Sequence, residues 1–224
     1  MNNIYHSDIY QFDTPVSSYW EDTSSENLQI DKLKKDTNSE IVVIGGGYTG
    51  LLCAINLIEN HNLDVILVEA GKIGWGASSR NAGFNCLPPS KMSFKKMQSI
   101  YGIEETKKFF KNSVEGSIHT RDIIKEYNIK CDVTGDCNYV VAHHKSKFEQ
   151  IKEQAEAYKS EFGIKTEIYS KEEFDEIGHG GTEQYGAFSY KPGFAINPLK
   201  FLNGIAKYGF CLLYTSPSPR DPHW

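Results

Sequence analysis

The sequence has no excess of basic charge. Its 24 lysines and arginines are outnumbered by 29 acids, giving a net charge of −5 and a pI near 5.8. That removes the electrostatic case for nucleic acid or an anionic membrane as partner. Metal-binding patterns are also missing. Five cysteines (Cys53, Cys86, Cys131, Cys137, Cys211) stand at no ligand spacing, and the seven histidines include His143-His144 but no H-E-x-x-H. No metal site is expected. The opening residues MNNIYHSDIYQFDTP hold neither a basic nor an apolar stretch of the secretory kind, so a signal peptide is not expected. The thiols are expected to be buried or free in a reducing cytoplasm. One charge-free run of 18 residues, Ile41–Ile58, has the length of a membrane span. Its three consecutive glycines, with Tyr48, Thr49 and Asn56, make a strand–turn–helix the better reading, so no membrane span is expected.

What remains is globular: 39% hydrophobic and 24% charged over 224 residues, enough for one large domain or two small ones. The stretch Ile41–Glu69 carries the strongest signal. A β-branched run leads into Gly45, Gly46, Gly47, Tyr48, Thr49 and Gly50, in which Gly45, Gly47 and Gly50 have the G-x-G-x-x-G spacing. A helical segment and a second apolar run follow, ending in Glu69, 19 residues beyond Gly50. Gly45 permits a tight turn, Gly47 lets a pyrophosphate approach the backbone, and Gly50 allows close helix–sheet packing. The helix N-terminus favours phosphate, and the acid can accept hydrogen bonds from ribose hydroxyls. A glycine turn kept for packing alone is the bland alternative. Asn62, in the turn before the second strand, stands where glycine is common, and Asn tolerates the left-handed conformation.

The next stretch, Ala70–Asn85, is rich in small residues and has one cation, Arg80. Its glycines imply backbone that bends or approaches something closely. An ordinary surface loop, with Arg80 in a salt bridge, is one reading. A loop presenting backbone N–H groups, Ser78, Arg80 and Asn81 to a cofactor is the other.

GGGYTG, then VEA, then GWGASSRNAG resemble the FAD-dependent amine and amino-acid oxidoreductases of the D-amino-acid oxidase superfamily. Within it the chain is most similar to the γ-glutamylputrescine oxidoreductase group, whose usual run is close to GWGASGRNGG. Ser79 and Ala82 replace glycines of that run. SSYW and GAFSYKPGFAINPLKFLNGIAK are also similar to that group. The resemblance covers roughly residues 15–210.

It implies an α/β chain: a Rossmann-like FAD-binding domain of the GR2 type carrying the start of an inserted α+β substrate domain, and truncated. The expected division is an N-terminal arm over 1–38, a FAD-binding βαβ unit and flavin loop over 39–90, and a helical region with the start of the substrate domain over 91–195. A return to the FAD domain over 196–210 and a tail over 211–224 complete it. The implied FAD contacts are Gly45, Gly46, Gly47, Tyr48, Thr49, Gly50, Glu69, Ala70, Trp75, Gly76, Ala77, Ser78, Arg80, Asn81 and Gly83. Arg80 and Asn81 are the implied neighbours of the isoalloxazine. Cys86 lies just beyond the loop, where a small buried thiol is the expected reading rather than a covalent flavin link. No residue is singled out as catalytic.

Elsewhere the pattern alternates. Phe110, Val114 and Ile118 step by four within a helix expected over about 104–127, and are read as core. Phe148, Ile151, Ala155, Tyr158 and Phe162 form a second core stripe. Strands are expected at Cys131–Thr134, Asn138–Ala142, Thr166–Ser170 and Tyr185–Tyr190, with a turn at Gly135. The charged run Lys171-Glu172-Glu173 reads as a helix start, and Asn197–Tyr208 as a helix with Pro198 near its beginning. SSYWEDT packs across the domain as an arm or stays mobile, and residues 1–15 are open to a disordered reading.

Cys211–Asp221, CLLYTSPSPRD, resembles the one-frame translation of a transposon adapter used in sequencing libraries, and begins where a further strand is expected. Residues 211–224 are therefore expected to pack on nothing specific, and a product of this sequence to be poorly soluble and inactive on amines. The leading functional expectation is a flavoenzyme that oxidises the C–N bond of an amine or amino acid, a γ-glutamylated polyamine among the candidates, with oxygen or another acceptor taking the electrons. An NAD-dependent dehydrogenase, a non-catalytic FAD-binding subunit and an inactive fragment stand as alternatives.

Overall fold

The computed structural model describes residues 6–14, 17–24, 26, 28, 30–87, 92–178 and 180–215. The chain divides into two compact units. One comprises Met1–Gly83, Ile123–Asp132 and Asn197–Trp224, the other Phe84–Asp122 and Val133–Ile196.

In the first unit, Ser18 caps a short helix, α1 (Tyr19–Asp22), through its hydroxyl. The β-branched runs form β1 (Ile41–Ile44) and β2 (Val65–Val68), which pair in parallel from Ile41↔Val65 to Ile44↔Val68. Parallel pairing requires a crossover, supplied by α2 (Tyr48–His61). This helix closes at Asn62, whose φ of 51° and ψ of 39° are left-handed as its residue type suggests. The following N–H, that of Leu63, returns to the Leu57 carbonyl. Leu51, Ala54 and Ile55 are the buried face of α2. Further along the chain, Pro198 starts the last helix of this unit, behind a cap from the Asn197 side chain to the Lys200 N–H at 3.2 Å. Leu199, Leu202, Ile205 and Ala206 are its buried side. It runs from Pro198 to Thr215, seven residues past the expected end at Tyr208. The strand expected at about 211 is therefore absent: CLLYT is apolar enough to extend the helix. The remainder of the expected tail, 216–224, lies outside the described residues, as do residues 1–5 of the leader. His6 caps a 3-10 turn at Ser7–Tyr10.

The second unit holds β3 (Phe84–Asn85), α3 (Phe94–Glu126, its last turn belonging to the first unit), β4 (Asn138–Val141), α4 (Lys145–Phe162), β5 (Thr166–Tyr169), α5 (Lys171–Ile177), β6 (Ala187–Tyr190) and β7 (Phe194–Ala195). The helix from Pro198 is α6. β4, β6 and β5 form an antiparallel sheet in that order, and β3 pairs with β7. One sheet face presents Phe188 and Tyr190 to Ile151, Ala155 and Tyr158 of α4 and Phe110 of α3. Phe110 and Phe162 stack at 3.9 Å. Ser170 and Glu173 complete a capping box at the start of α5, so the charged run does open a helix.

Two expectations differ from the structure. The α3 stripe holds at Phe110 and Val114, but Ile118 is 48% exposed and Ser117 is buried instead. A residue eight positions on has overrun the starting direction by about 80° on a 3.6-residue helix, whereas one seven positions on returns to within about 20°. Gly102 (φ 79°, ψ 166°) is non-helical and divides α3 into two helices, so the stretch after it matches the helix expected over about 104–127, while the helix before it was not expected. No strand forms over Cys131–Thr134. Asp132 is left-handed at φ 54°, and only Thr134 bridges Ala195. Among the described residues no helix is long and apolar enough to cross a membrane.

Candidate functional site

The glycine turn is built so tightly that its residue types follow from geometry. Gly45 has φ +107°, which side-chain-bearing residues avoid, and its N–H reaches the Val68 carbonyl at 2.7 Å. A Cβ on Gly50 would stand 1.9 Å from the Gly45 carbonyl oxygen, so helix α2 can leave the strand only with glycine there. Gly47 caps α2 with no side-chain hydrogen bond, and a Cβ on it would meet the Ser78 hydroxyl at 2.9 Å. The Tyr48 N–H at the same helix end donates to Ser78 Oγ at 3.3 Å. Thus Ser78 and the α2 N-terminus, 30 residues apart, come together at the position where a helix end attracts an anion.

Glu69 binds the turn from the second strand. Its Oε2 accepts the Gly46 N–H at 2.6 Å and its Oε1 accepts the Gly71 N–H at 3.1 Å. Each carboxylate oxygen keeps a further acceptor site. Ala70 beyond it is exposed and lines a cleft of about 1140 Å³ between β2, α2 and residues 30–37. Thr49 is exposed to solvent.

Trp75, Gly76, Ala77 and Ser78 lead through a 3-10 turn (Ala77–Ser79) to Arg80. Ser79, which resemblance alone made a simple departure from glycine, is buried, and its hydroxyl donates to the Gly74 carbonyl. Asn81 braces the loop. Its amide donates to the Ser78 and Ala77 carbonyls at 3.0 and 3.3 Å, and its Oδ1 accepts the Gly83 N–H at 2.9 Å. The Arg80 guanidinium lies 5.3 Å over the Trp75 ring. Its Nε and Nη2 are buried with no hydrogen-bond partner, and the salt bridge considered for it is not found among the described residues. The Tyr48 phenol donates to the Pro198 carbonyl at 2.9 Å, and burial pushes its pKa up to about 12. Cys86 is exposed, contrary to the buried reading.

Phe12 and Thr14 were given no role from sequence, whereas Trp20 lies in SSYWEDT, which was read as an arm packed across the domain or mobile and is packed here through Trp20. The Trp20 indole N–H donates to the Asn81 carbonyl at 2.8 Å, the Trp75 indole N–H donates to the Thr14 carbonyl at 3.3 Å, and the Phe12 ring meets Trp75 edge-on at 5.1 Å. The available signals were the SSYW resemblance and the aromatic residues of an otherwise polar leader.

Strand, glycine turn, helix, strand and acid define an α/β dinucleotide-binding unit. The chain belongs to the FAD dependent oxidoreductase (DAO) family, which it matches over residues 40–209. It is 32% identical over 145 residues to γ-glutamylputrescine oxidoreductase of Escherichia coli K12, covering 64% of this chain and 34% of that one. It is 27% identical over 214 residues to the probable oxidoreductase OrdL of Haemophilus influenzae Rd, covering 88% and 45%. Among solved structures, L-amino acid deaminase from Proteus vulgaris superposes with a TM-score of 0.61 at 18% identity, over 84% of this chain and 41% of that one. The chain thus spans between a third and a half of the length of these relatives. The cofactor of the family is FAD, which sets aside the nicotinamide alternative.

The residues present fit that group. The α2 N-terminus has no side-chain cap from Gly47, Glu69 has acceptor sites left for ribose hydroxyls, and two buried Arg80 nitrogens lack an acceptor.

Proposed function

We propose that this chain holds FAD along Gly45–Gly50, Glu69 and Trp75–Gly83, and that the protein oxidises the C–N bond of an amine or amino acid. A γ-glutamylated polyamine is the first substrate to test, because the relative with 32% identity carries a name of that kind. The observation that carries the proposal is the contact of Ser78 with the α2 N-terminus, together with two unpartnered Arg80 nitrogens two residues further along the same loop. Bound FAD supplies a hydride acceptor. The residues of this chain do the binding and aiming. The first-turn N–H groups of α2 and the Ser78 hydroxyl face the pyrophosphate, Glu69 accepts the ribose hydroxyls, and Arg80 donates to an acceptor oxygen of the cofactor.

The test uses protein produced from its complete gene. It should purify yellow, and its flavin should bleach when mixed anaerobically with a member of an amine panel. The reductive rate should rise with pH, because the neutral amine is the hydride donor. Gly47→Val should abolish flavin content. Undiminished flavin in that variant would remove the pyrophosphate assignment. Reduction by NADH, with no amine responding, would move the protein to the reductases.

A further inference from the structure

A buried guanidinium with two unpaired nitrogens is costly, so its position needs support from elsewhere. The support for Arg80 comes from outside its own loop. On one side the ring beneath it, Trp75, is pinned by the Thr14 carbonyl and flanked by Phe12. On the other side the next residue, Asn81, is held through its carbonyl by the Trp20 indole. Glu21 adds an ion pair to Lys72 at 2.5 Å. The same segment is fastened to α6 beyond the loop. Thr23 Oγ1 accepts from the Asn197 amide at 2.8 Å, and Glu26 pairs with Lys207 at 2.5 Å. Both flanks of the guanidinium are therefore tied to one stretch of chain, and that stretch is anchored independently.

We propose that residues 12–14 and 17–21 act as a strap that aims Arg80 at the cofactor, with Trp20 as a positioning residue. The proposal rests on reading Arg80 as a cofactor contact. Trp20 is not itself among the expected FAD contacts. It acts through Asn81, whose amide and Oδ1 in turn fix Ala77, Ser78 and Gly83. Loss of the indole N–H would free the Asn81 carbonyl and loosen the loop around Arg80 while leaving β1, α2 and β2 intact.

The decisive variant is Trp20→Phe, which keeps a ring and removes the donor. In flavin-free protein, amides of residues 81–85 should exchange with deuterium roughly two- to tenfold faster, the range expected for one lost hydrogen bond, with the exchange of α2 unchanged. In protein from the complete gene, FAD affinity should fall by about the same factor, and the visible band of the bound flavin should shift. Phe12→Ala, which strips the contact on Trp75, is the second variant and should produce the same pair of effects. Unchanged exchange over 81–85 in both variants would overturn the strap. Faster exchange with unaltered flavin affinity and spectrum would make the contact structural only and overturn the positioning role. If the unsubstituted protein takes up no FAD, the cofactor reading fails and the positioning role with it, while the exchange measurement still reports separately whether Trp20 holds the loop.

Discussion

Glu69 accepts the Gly46 N–H at 2.6 Å across 23 residues of sequence, and through its other oxygen the Gly71 N–H at 3.1 Å. The acid at the end of β2 is thus a brace for the glycine turn before it is a ribose ligand. Glu69→Ala should destabilise the flavin-free protein by about 1.5–3 kcal/mol, the range for hydrogen bonds to a charged group. Glu69→Gln, which keeps one acceptor oxygen, should cost less. Urea unfolding checks both. In protein from the complete gene, Glu69→Ala should also weaken FAD binding by about 1–3 kcal/mol; an unchanged titration would leave Glu69 as a brace alone.

The glycines of the site divide sharply by geometry. Gly50→Ala places a methyl group 1.9 Å from the Gly45 carbonyl oxygen, whereas Gly76→Ala meets nothing within 4 Å at an ordinary φ. Gly50→Ala should cost about 3 kcal/mol or more, because relief requires moving α2 off the strand. Gly76→Ala should change stability by less than about 1 kcal/mol. Thermal melts of the two variants side by side decide the matter, and equal losses would contradict the packing argument.

The βαβ unit was legible because each of its parts has its own local cause: β-branched strands, glycines at fixed offsets, Asn62 at a left-handed helix end. The capping box at Ser170 and the α4 stripe were legible for the same reason. Ile118 was misplaced because a step of four drifts on a real helix, whereas the boundary at Gly102 was read correctly, since its φ of 79° and ψ of 166° separate two helices. Cys131–Thr134 has strand-like composition, but Asp132 adopts a left-handed conformation that ends any ladder. That SSYWEDT packs as an arm was one reading of the sequence, but which residue Trp20 would reach could not be read. A contact over 61 residues between an indole and a backbone carbonyl leaves no pattern in sequence.

Burial gives the first unit an alkaline limit. The pKa of Tyr48 is pushed up to about 12 and that of Cys131 to about 11, with desolvation the main cause in both. The folded state therefore holds these protons after the unfolded chain has released them. Their contribution to stability is complete below the unfolded values, near 9 for the thiol and 10 for the phenol, and is lost as pH rises through the folded ones. Unfolding free energy should fall between about pH 9 and pH 12, and Tyr48→Phe should flatten the upper part of that decline. A Tyr48→Phe profile parallel to the parent's would mean that the phenol is not held neutral by the fold.

β1 is paired along one edge only among the described residues, with β2. Its alternate side chains Val42 and Ile44 are 55% and 85% exposed, on the same face by the two-residue period of a strand. An unpaired edge beside exposed β-branched residues invites pairing with another chain. The 224-residue chain should therefore self-associate as concentration rises, and Ile44→Lys should suppress this by placing a charge on the edge strand. Because Ile44 is largely exposed, the substitution removes little buried surface and should shift the unfolding midpoint only slightly. Light scattering across a concentration series, with melts in parallel, separates the two effects. Association that persists unchanged in Ile44→Lys would place the sticky surface elsewhere, whereas a large loss of stability would mean that the Ile44 side chain is covered in solution.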